Sequence, residues 1–323
     1  MDKRIRLSCP PIGISKEERL EILFENIQKW IYSEPLRQLM EIYNADIPVD
    51  LPLKETITWL NEFANVWDFR KRQANGGERW NVSDDDKVER SKDIILKCAA
   101  QLGLADCDTP VAAPDFILPL GGARLANLER AKHAKKMSEL FKNEPFSIVA
   151  LSGKRPINKV ELPYIAEYAP NAVTEYDAVN KGLENAFDLS SKEYCETNYI
   201  TENQNLQWAK RKYTEGFFGH EIFSVAAPSS DPSRRANSLD TFNYFIKNFE
   251  VRDKQKILLV TSCIYIPFQL LKFIPISIEN NIVIDCVGVS AQRRGSQFSK
   301  ASNYLQEIKA AINAINNLSE IYL

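Results

Sequence analysis

From about Asp115 onward, short apolar runs alternate with stretches of helical periodicity, and no other feature restricts the fold of this chain as much. The runs are Phe116–Leu120, Ser147–Leu151, Ile222–Ala226, Ile257–Thr261 and Ile282–Val289, with a weaker one at Ala172–Thr174. Each has the length of a strand, is bounded by turn residues and is apolar at successive positions, as expected where both faces of a parallel sheet are covered. Helical stretches at 124–142, 176–187, 238–249 and 299–318 separate them. The pattern predicts a Rossmann-like, doubly wound, mostly parallel α/β sheet. Residues 188–221 break the alternation and read as an insertion, helical around Gln204–Tyr213.

The N-terminal segment has a different period. Ser15 and Glu18 form a capping-box pattern, after which Leu20, Leu23, Phe24, Ile27, Trp30 and Ile31 recur on one helical face. Ser33-Glu34-Pro35 and Pro52 start two further helices, and Asn75-Gly76-Gly77 ends the series. Ser83-Asp84-Asp85-Asp86 caps a fourth, which carries Val88, Ile95, Cys98 and Leu102 and stops at Gly103. At 323 residues the chain exceeds one ordinary core. The expectation is a helical domain over 1–110 and an α/β domain over 111–323 containing the 188–221 insertion.

Charge narrows the partners. Lys and Arg number 41 against 43 Asp and Glu, which lacks the basic excess that neutralises a phosphate backbone, so nucleic acid is not expected. No stretch approaches the ~20 apolar residues of a membrane span, and Ser8-Cys9-Pro10-Pro11 stands where a signal peptide would have its apolar core. A cytoplasmic protein without a membrane partner is the expectation. The six cysteines include no Cys-x-x-Cys pair and are expected to be reduced and mostly buried. With His133 and His220 the chain's two histidines, no metal site is predicted.

Ligands of open parallel sheets bind beyond the carboxyl ends of the strands, where loops offer backbone N–H groups and helix N-termini. The loop Leu120-Gly121-Gly122-Ala123-Arg124 ends the first strand: Gly121 and Gly122 permit close backbone approach, and Arg124 offers a fork for phosphate or carboxylate. It is neither a Walker loop nor Gly-x-Gly-x-x-Gly. Ser152, Gly153 and Lys154, followed by Arg155, end the second strand, and Thr261-Ser262 ends a later one. Asp231–Ser238 follows the Ile222–Ala226 strand and adds Arg235, Asn237 and Ser238 as contacts. Glu175, Asp240 and His220 are the acid-base candidates. The charged run Asp68–Arg72 with Arg79-Trp80 reads as a salt-bridged, solvated helix end.

Over residues 115–323 these motifs, in this order, resemble the SanA/YdcF/ElyC-type family. The resemblance is carried by Leu120-Gly121-Gly122 with Arg124-Leu125, Leu151-Ser152-Gly153, Glu175, Asn237-Ser238-Leu239-Asp240 and Leu259-Val260-Thr261-Ser262. It departs at Lys154, where that family has glycine, at Ser238 and Asp240, where it has Thr and Glu, and at Ile264-Tyr265 and Phe268, where it has Tyr-His and Arg. What the resemblance implies is a Rossmann-like sheet with a pocket for a nucleotide-like or anionic molecule, S-adenosylmethionine included, and no general reaction. The functional expectation is a small-molecule enzyme, a transferase or hydrolase, binding such a ligand at the strand ends. The alternative is a non-catalytic metabolite-sensing or interaction module of the same fold.

Overall fold

The computed structural model describes residues 4–71, 82–105, 110, 112–291 and 300–323. The chain forms two compact units: Met1–Asp108 with Cys263–Glu279 and Ser290–Leu323, and Thr109–Ser262 with Asn280–Val289.

The first unit opens with α1 (Lys16–Ile31), α2 (Glu34–Glu41), α3 (Leu53–Phe63), α4 (Asp86–Arg90) and α5 (Lys92–Gln101). The capping box forms as expected: the Glu18 N–H donates to Ser15 Oγ at 3.1 Å, and the Ser15 N–H to Glu18 Oε2 at 2.8 Å. Two orphan donors at the start of α1 are thereby satisfied. Leu23, Ile27, Trp30 and Ile31 of α1 are buried. In the charged run, Asp68 pairs with Lys309 at 2.6 Å and Lys71 at 3.8 Å. Arg72, Arg79 and Trp80, like Asn75-Gly76-Gly77, lie outside the described residues.

The second unit carries the sheet. Its strands are β1 (Phe116–Pro119), β2 (Ser147–Ser152), β3 (Tyr194–Tyr199), β4 (Trp208–Tyr213), β5 (Ile222–Ala226), β6 (Lys256–Ser262) and β7 (Val283–Val289). They lie in the order β3-β4-β5-β2-β1-β6-β7. The segment β5-β2-β1-β6-β7 is parallel throughout, and β4 and β3 add antiparallel at one edge. The fold is the mixed α/β, mostly parallel sheet with an N-terminal helical region that the alternation predicts. From β1 the chain builds outward through β2 to β5, then returns to the other side of β1 with β6 and β7. The direction of winding reverses between β1 and β6, which is the topological switch point of an open α/β sheet.

Helices α6 (Ala126–Leu140) and α8 (Glu175–Phe187) cover one face, with the short α7 (Leu162–Ile165) between them in the chain. Ile117, Ile148, Ala150, Leu258 and Val260 form one core there with Ala131, Ala134, Val179 and Leu183. The two helices approach so closely that a Cβ on Gly182 of α8 would lie 2.9 Å from the Asn127 carbonyl of α6. Helix α9 (Ser238–Asn248) takes the opposite face. Phe116, which alternates with Ile117 along β1, meets Phe245 of α9 edge-on with ring centroids 5.1 Å apart.

After β6 the chain supplies α10 (Ile266–Glu279), and after β7 it supplies α11 (Ala301–Tyr322), both of which group with the first unit. The first division falls between Asp108 and Thr109, beside the expected residue 110, while Cys263–Glu279 and Ser290–Leu323 also belong to the helical unit. Helix α11 packs against α3, α5 and α10, so its apolar residues have helical partners that chain order does not reveal.

Three further expectations are corrected. Gln204–Tyr213 is not helical: a short 3-10 turn at Gln204–Leu206 leads into β4. Ala209 and Tyr213 are buried while Lys210 and Lys212 alternate with them, a period of two rather than 3.6. Ala172–Thr174 forms no strand; Thr174 makes one isolated bridge to Pro156 and caps α8 by accepting from the Asp177 N–H. Cys9, Cys98, Cys195 and Cys286 are free thiols, but Cys263 is disulfide-bonded, and Cys107 lies outside the described residues. No helix among the described residues is long and apolar enough to cross a membrane.

Candidate functional site

The switch point is where the loop after β1 begins. Its backbone is pinned on both sides: the Leu120 N–H donates to Val260 O at 3.0 Å, and the Gly121 N–H to Leu151 O at 2.6 Å. The absence of side chains at the two glycines is then used by neighbouring groups. A Cβ on Gly121 would collide with Glu175 Oε1 and lie 3.0 Å from Leu151 O; one on Gly122 would lie 2.9 Å from Ala126 Cβ and 3.0 Å from Arg130 Nη1. The Gly122 N–H is held by Asn127 Oδ1 at 2.8 Å. Internal partners therefore occupy the space that a side chain at either glycine would need.

Arg130 is the site residue that the motifs do not reveal. It is buried on α6, and its Nη1 donates to Leu120 O at 2.7 Å and to Gly121 O at 2.5 Å. Its Nη2 and Nε reach Ser262 Oγ at 3.1 and 3.4 Å. One planar fork therefore joins the ends of β1 and β6 across the switch point. The available signal was an arginine at helical spacing from Ala126, Ala134 and Met137, on the buried face of α6.

Arg124 departs from its expected place in the first turn of a helix. Its φ of 58° is left-handed, and α6 begins only at Ala126. The guanidinium carbon lies 4.4 Å from the centre of the Tyr164 ring, the N–H donates to Glu161 Oε2 at 3.2 Å, and the carbonyl accepts from the Tyr168 hydroxyl at 2.8 Å. Arg124 is buried and stacked rather than extended toward a ligand.

At the end of β2, the Ser152 hydroxyl donates to Val225 O at 2.8 Å and is spent on the neighbouring strand. Gly153 is buried, 3.4 Å from Ala236 Cβ when given a Cβ of its own, while Lys154 is half-buried. Arg155 turns inward between two carboxylates. Its Nη1 and Nη2 meet Glu161 at 2.6 and 3.1 Å, and its Nε meets Glu175 Oε2 at 2.8 Å. Burial pushes the Glu161 carboxyl up, but Arg155 and the N–H groups of Asn158 and Arg124 outweigh it and hold the group below its ordinary value. Glu175 is therefore an ion-pair partner at the start of α8, with one oxygen turned to the Gly121 turn.

Thr261 is buried, and its Oγ1 makes no hydrogen bond to the described residues. After β5, Asn237 caps α9 by accepting from the N–H groups of Leu239 and Asp240. Ser238 opens the helix, and its carbonyl accepts from Thr241 Oγ1 at 3.0 Å. Asp240 takes Arg234 at 2.5 and 3.2 Å, the Asn237 N–H at 2.8 Å and the Ser230 N–H at 3.2 Å. Burial raises its pKa, yet these bonds prevail and hold the carboxyl well below the usual range. Asp240 thus completes the capping box of α9 and pairs with Arg234. Arg235 is exposed. His220 precedes β5 at the opposite end of the sheet, with its ring stacked on Phe146 at 3.8 Å and Nε2 3.2 Å from Lys142 O. It does not join the other candidates.

The β3–β4 connection supplies further residues that sequence reasoning missed. Gln204 Nε2 donates to Lys154 O at 2.9 Å, and the side-chain amides of Asn203 and Asn205 donate to Pro232 O at 3.1 and 3.0 Å. The insertion thereby ties the loop after β2 to the loop after β5. Its signal was the amide-rich run Asn203-Gln204-Asn205. Around the strand ends Arg124, Arg130, Lys154 and Arg155 outnumber Glu161 and Glu175, so the local charge is positive. No group of three or more His, Cys, Asp or Glu suited to a metal occurs among the described residues.

Comparison with known proteins bears on both halves of the chain. Residues 15–103, from the cap of α1 to the glycine after α5, match the model of the Rv3785 N-terminal domain. Across 340 aligned residues the chain is 25% identical to the uncharacterized proteins Rv3785 of Mycobacterium tuberculosis and Mb3814 of Mycobacterium bovis, covering 97% of this chain and 94% of each relative. No solved structure matches. These findings overturn the SanA/YdcF/ElyC-type resemblance: the likeness runs through the N-terminal helices, which that resemblance excludes, and continues to the end of the chain. The motifs misled because Gly-Gly and Thr-Ser recur wherever a parallel strand ends in a tight turn. With the resemblance goes the only basis for S-adenosylmethionine.

Proposed function

We propose that the α/β unit binds a nucleotide-like or anionic small molecule at the carboxyl ends of β1, β2 and β6. The observation that carries this reading is the strand order, which reverses between β1 and β6 beside the Gly121-Gly122 turn. Open α/β sheets expose such a crevice at that point, and the surplus of arginine and lysine around it favours negative charge. Lys154 and Arg235 enter no ion pair with a carboxylate among the described residues, and Thr261 adds a buried hydroxyl with hydrogen-bonding capacity to spare.

Binding without turnover is the reading the side chains favour. Asp240 is committed to Arg234 and the α9 cap, and His220 lies at the far end of the sheet. The enzyme reading, a transferase or hydrolase, rests on Glu175, whose Oε1 faces Gly121 while Oε2 holds Arg155. Native mass spectrometry and thermal shift of the full chain against nucleotides, sugar phosphates and amino acids test both. A ligand whose affinity falls in Lys154→Ala or Arg235→Ala supports the site, and a ligand indifferent to both places it elsewhere. Turnover of that ligand, lost in Glu175→Gln while binding persists, would restore the enzyme reading.

A further inference from the structure

Glu175 is fixed on one side and open on the other. Its N–H donates to Arg155 O at 2.8 Å, and its Oε2 accepts from Arg155 Nε at 2.8 Å. Oε1 lies against Gly121 and accepts no hydrogen bond among the described residues. The side chain is 14% exposed, so this oxygen is largely withdrawn from water without being sealed. A carboxylate accepts at both oxygens, and polar groups so withdrawn are ordinarily satisfied. Oε1 therefore calls for a donor from outside the chain.

The surroundings decide which donor fits. Arg155 already takes up the Glu175 charge, and the surplus of arginine and lysine at the strand ends disfavours an ammonium. A hydroxyl donates without adding charge. The same molecule must also bring an anion to Lys154, which stands close by. Pro156 bridges Thr174 antiparallel, so Arg155 opposes Glu175. One chain step of about 3.8 Å and one cross-strand pair of about 5.5 Å then separate the Cα atoms of Lys154 and Glu175, a span that a five-carbon phosphate covers. Gln204 holds the Lys154 carbonyl at 2.9 Å, and the loop carrying Arg235 runs alongside, where a Cβ on Gly153 would lie 3.4 Å from Ala236 Cβ. Two cations on adjoining loops suit a phosphate monoester, which carries nearly two charges at neutral pH.

We infer that the ligand is a phosphorylated sugar, with its phosphate on Lys154 and Arg235 and one hydroxyl donated to Glu175 Oε1. This rests on the anion site proposed above and names its ligand class. A position built to accept a hydroxyl rejects analogues that lack one, which makes Glu175 a specificity-determining residue. A free sugar phosphate and the ribose phosphate of a nucleotide share this chemistry.

Calorimetric titration of the full chain tests it with three probes. Ribose 5-phosphate carries hydroxyls, pentyl phosphate has the same carbon chain length without them, and phosphoethanolamine offers an ammonium instead. Ribose 5-phosphate should bind at least roughly tenfold tighter than either, the effect of one hydrogen bond to a charged group. Glu175→Met removes both oxygens at similar length while Arg155 retains Glu161, and it should abolish the preference. Lys154→Ala should weaken every probe and preserve the preference. Pentyl phosphate or phosphoethanolamine binding as tightly as ribose 5-phosphate overturns the inference, as does a preference that survives Glu175→Met. If Lys154→Ala still weakens those probes, the anion site stands without it; if no phosphate binds, both fall. Adenosine monophosphate separates the two sources, since tighter binding than ribose 5-phosphate supports a nucleotide and weaker binding a free sugar phosphate. Should Glu175→Met fail to fold, the comparison of probes on the wild-type chain decides.

Discussion

Glu175 holds one carboxylate oxygen in the space that a Cβ on Gly121 would need, and gives the other to Arg155 at 2.8 Å. The glycine is thus fixed by packing inside the protein. Gly121→Ala is expected to lower stability by about 1–3 kcal/mol, the usual cost of overfilling a packed site. Urea denaturation should show a lower midpoint at unchanged slope. Adding Glu175→Ala should return part of the loss, and strictly additive effects would disprove the proposed collision.

Arg130 makes the second such contact, and its replacement tests the link between β1 and β6. Arg130→Met strands the carbonyls of Leu120 and Gly121 in a buried site, at a cost of about 1–3 kcal/mol for a buried group left unsatisfied. Arg130→Lys should recover little, because a single ammonium cannot reach both carbonyls and Ser262 as a planar fork does. Full stability in the lysine variant would show that charge alone suffices.

The Arg155 ion pairs give a pH prediction. Glu161 has its folded pKa held below the ordinary 4.5, so its contribution is complete above that value and is lost as pH falls through the lowered one. Arg155→Met leaves Glu161 buried without its partner, which should cost about 3–5 kcal/mol at neutral pH. In that variant burial favours the protonated carboxyl, so acidification should narrow the gap from wild type. A gap that stays constant between neutral pH and pH values near 4.5 would contradict this.

Asp240 should behave as a cap rather than a catalyst. Asp240→Asn keeps the shape, loses the Arg234 charge pair and should reduce stability chiefly above the ordinary carboxylate value of 3.8. Below it the wild-type advantage is lost as pH falls through the depressed folded pKa. Thermal melts across that range provide the check.

Ligand measurements should separate the two ends of the sheet. Lys154→Ala and Arg235→Ala are each expected to weaken an anionic ligand by about tenfold, the effect of one lost charge-assisted hydrogen bond. His220→Ala should leave that affinity unchanged, since its ring stacks on Phe146 at the amino ends of the strands. A comparable loss in His220→Ala would move the ligand away from the Gly121 turn.

Much of the architecture was legible in the order of residues. Each long apolar run from Phe116 to Val289 became a strand of the sheet, because burial on both faces leaves an unbroken apolar signature. The Ser15–Glu18 box likewise formed where it was written, since capping depends on residues three apart. The hairpin at 194–213 was misread because its alternation is short and diluted by amides, and an edge strand needs no strong apolar pattern.

The sequence by itself determined which segments became strands and which loops lie at their carboxyl ends, because period and turn chemistry are local. Only the tertiary structure decided what those loops contain. It brought Arg130, Glu175 and Arg155 into the Gly121–Arg124 turn, gave Asp240 its ion pair with Arg234 and set His220 against Phe146 at the far end. It also assigned α10 and α11 to the helical unit. The physical reason is that a buried charge must find its partner in space, and the partners here stand from 6 to 132 residues apart in the chain.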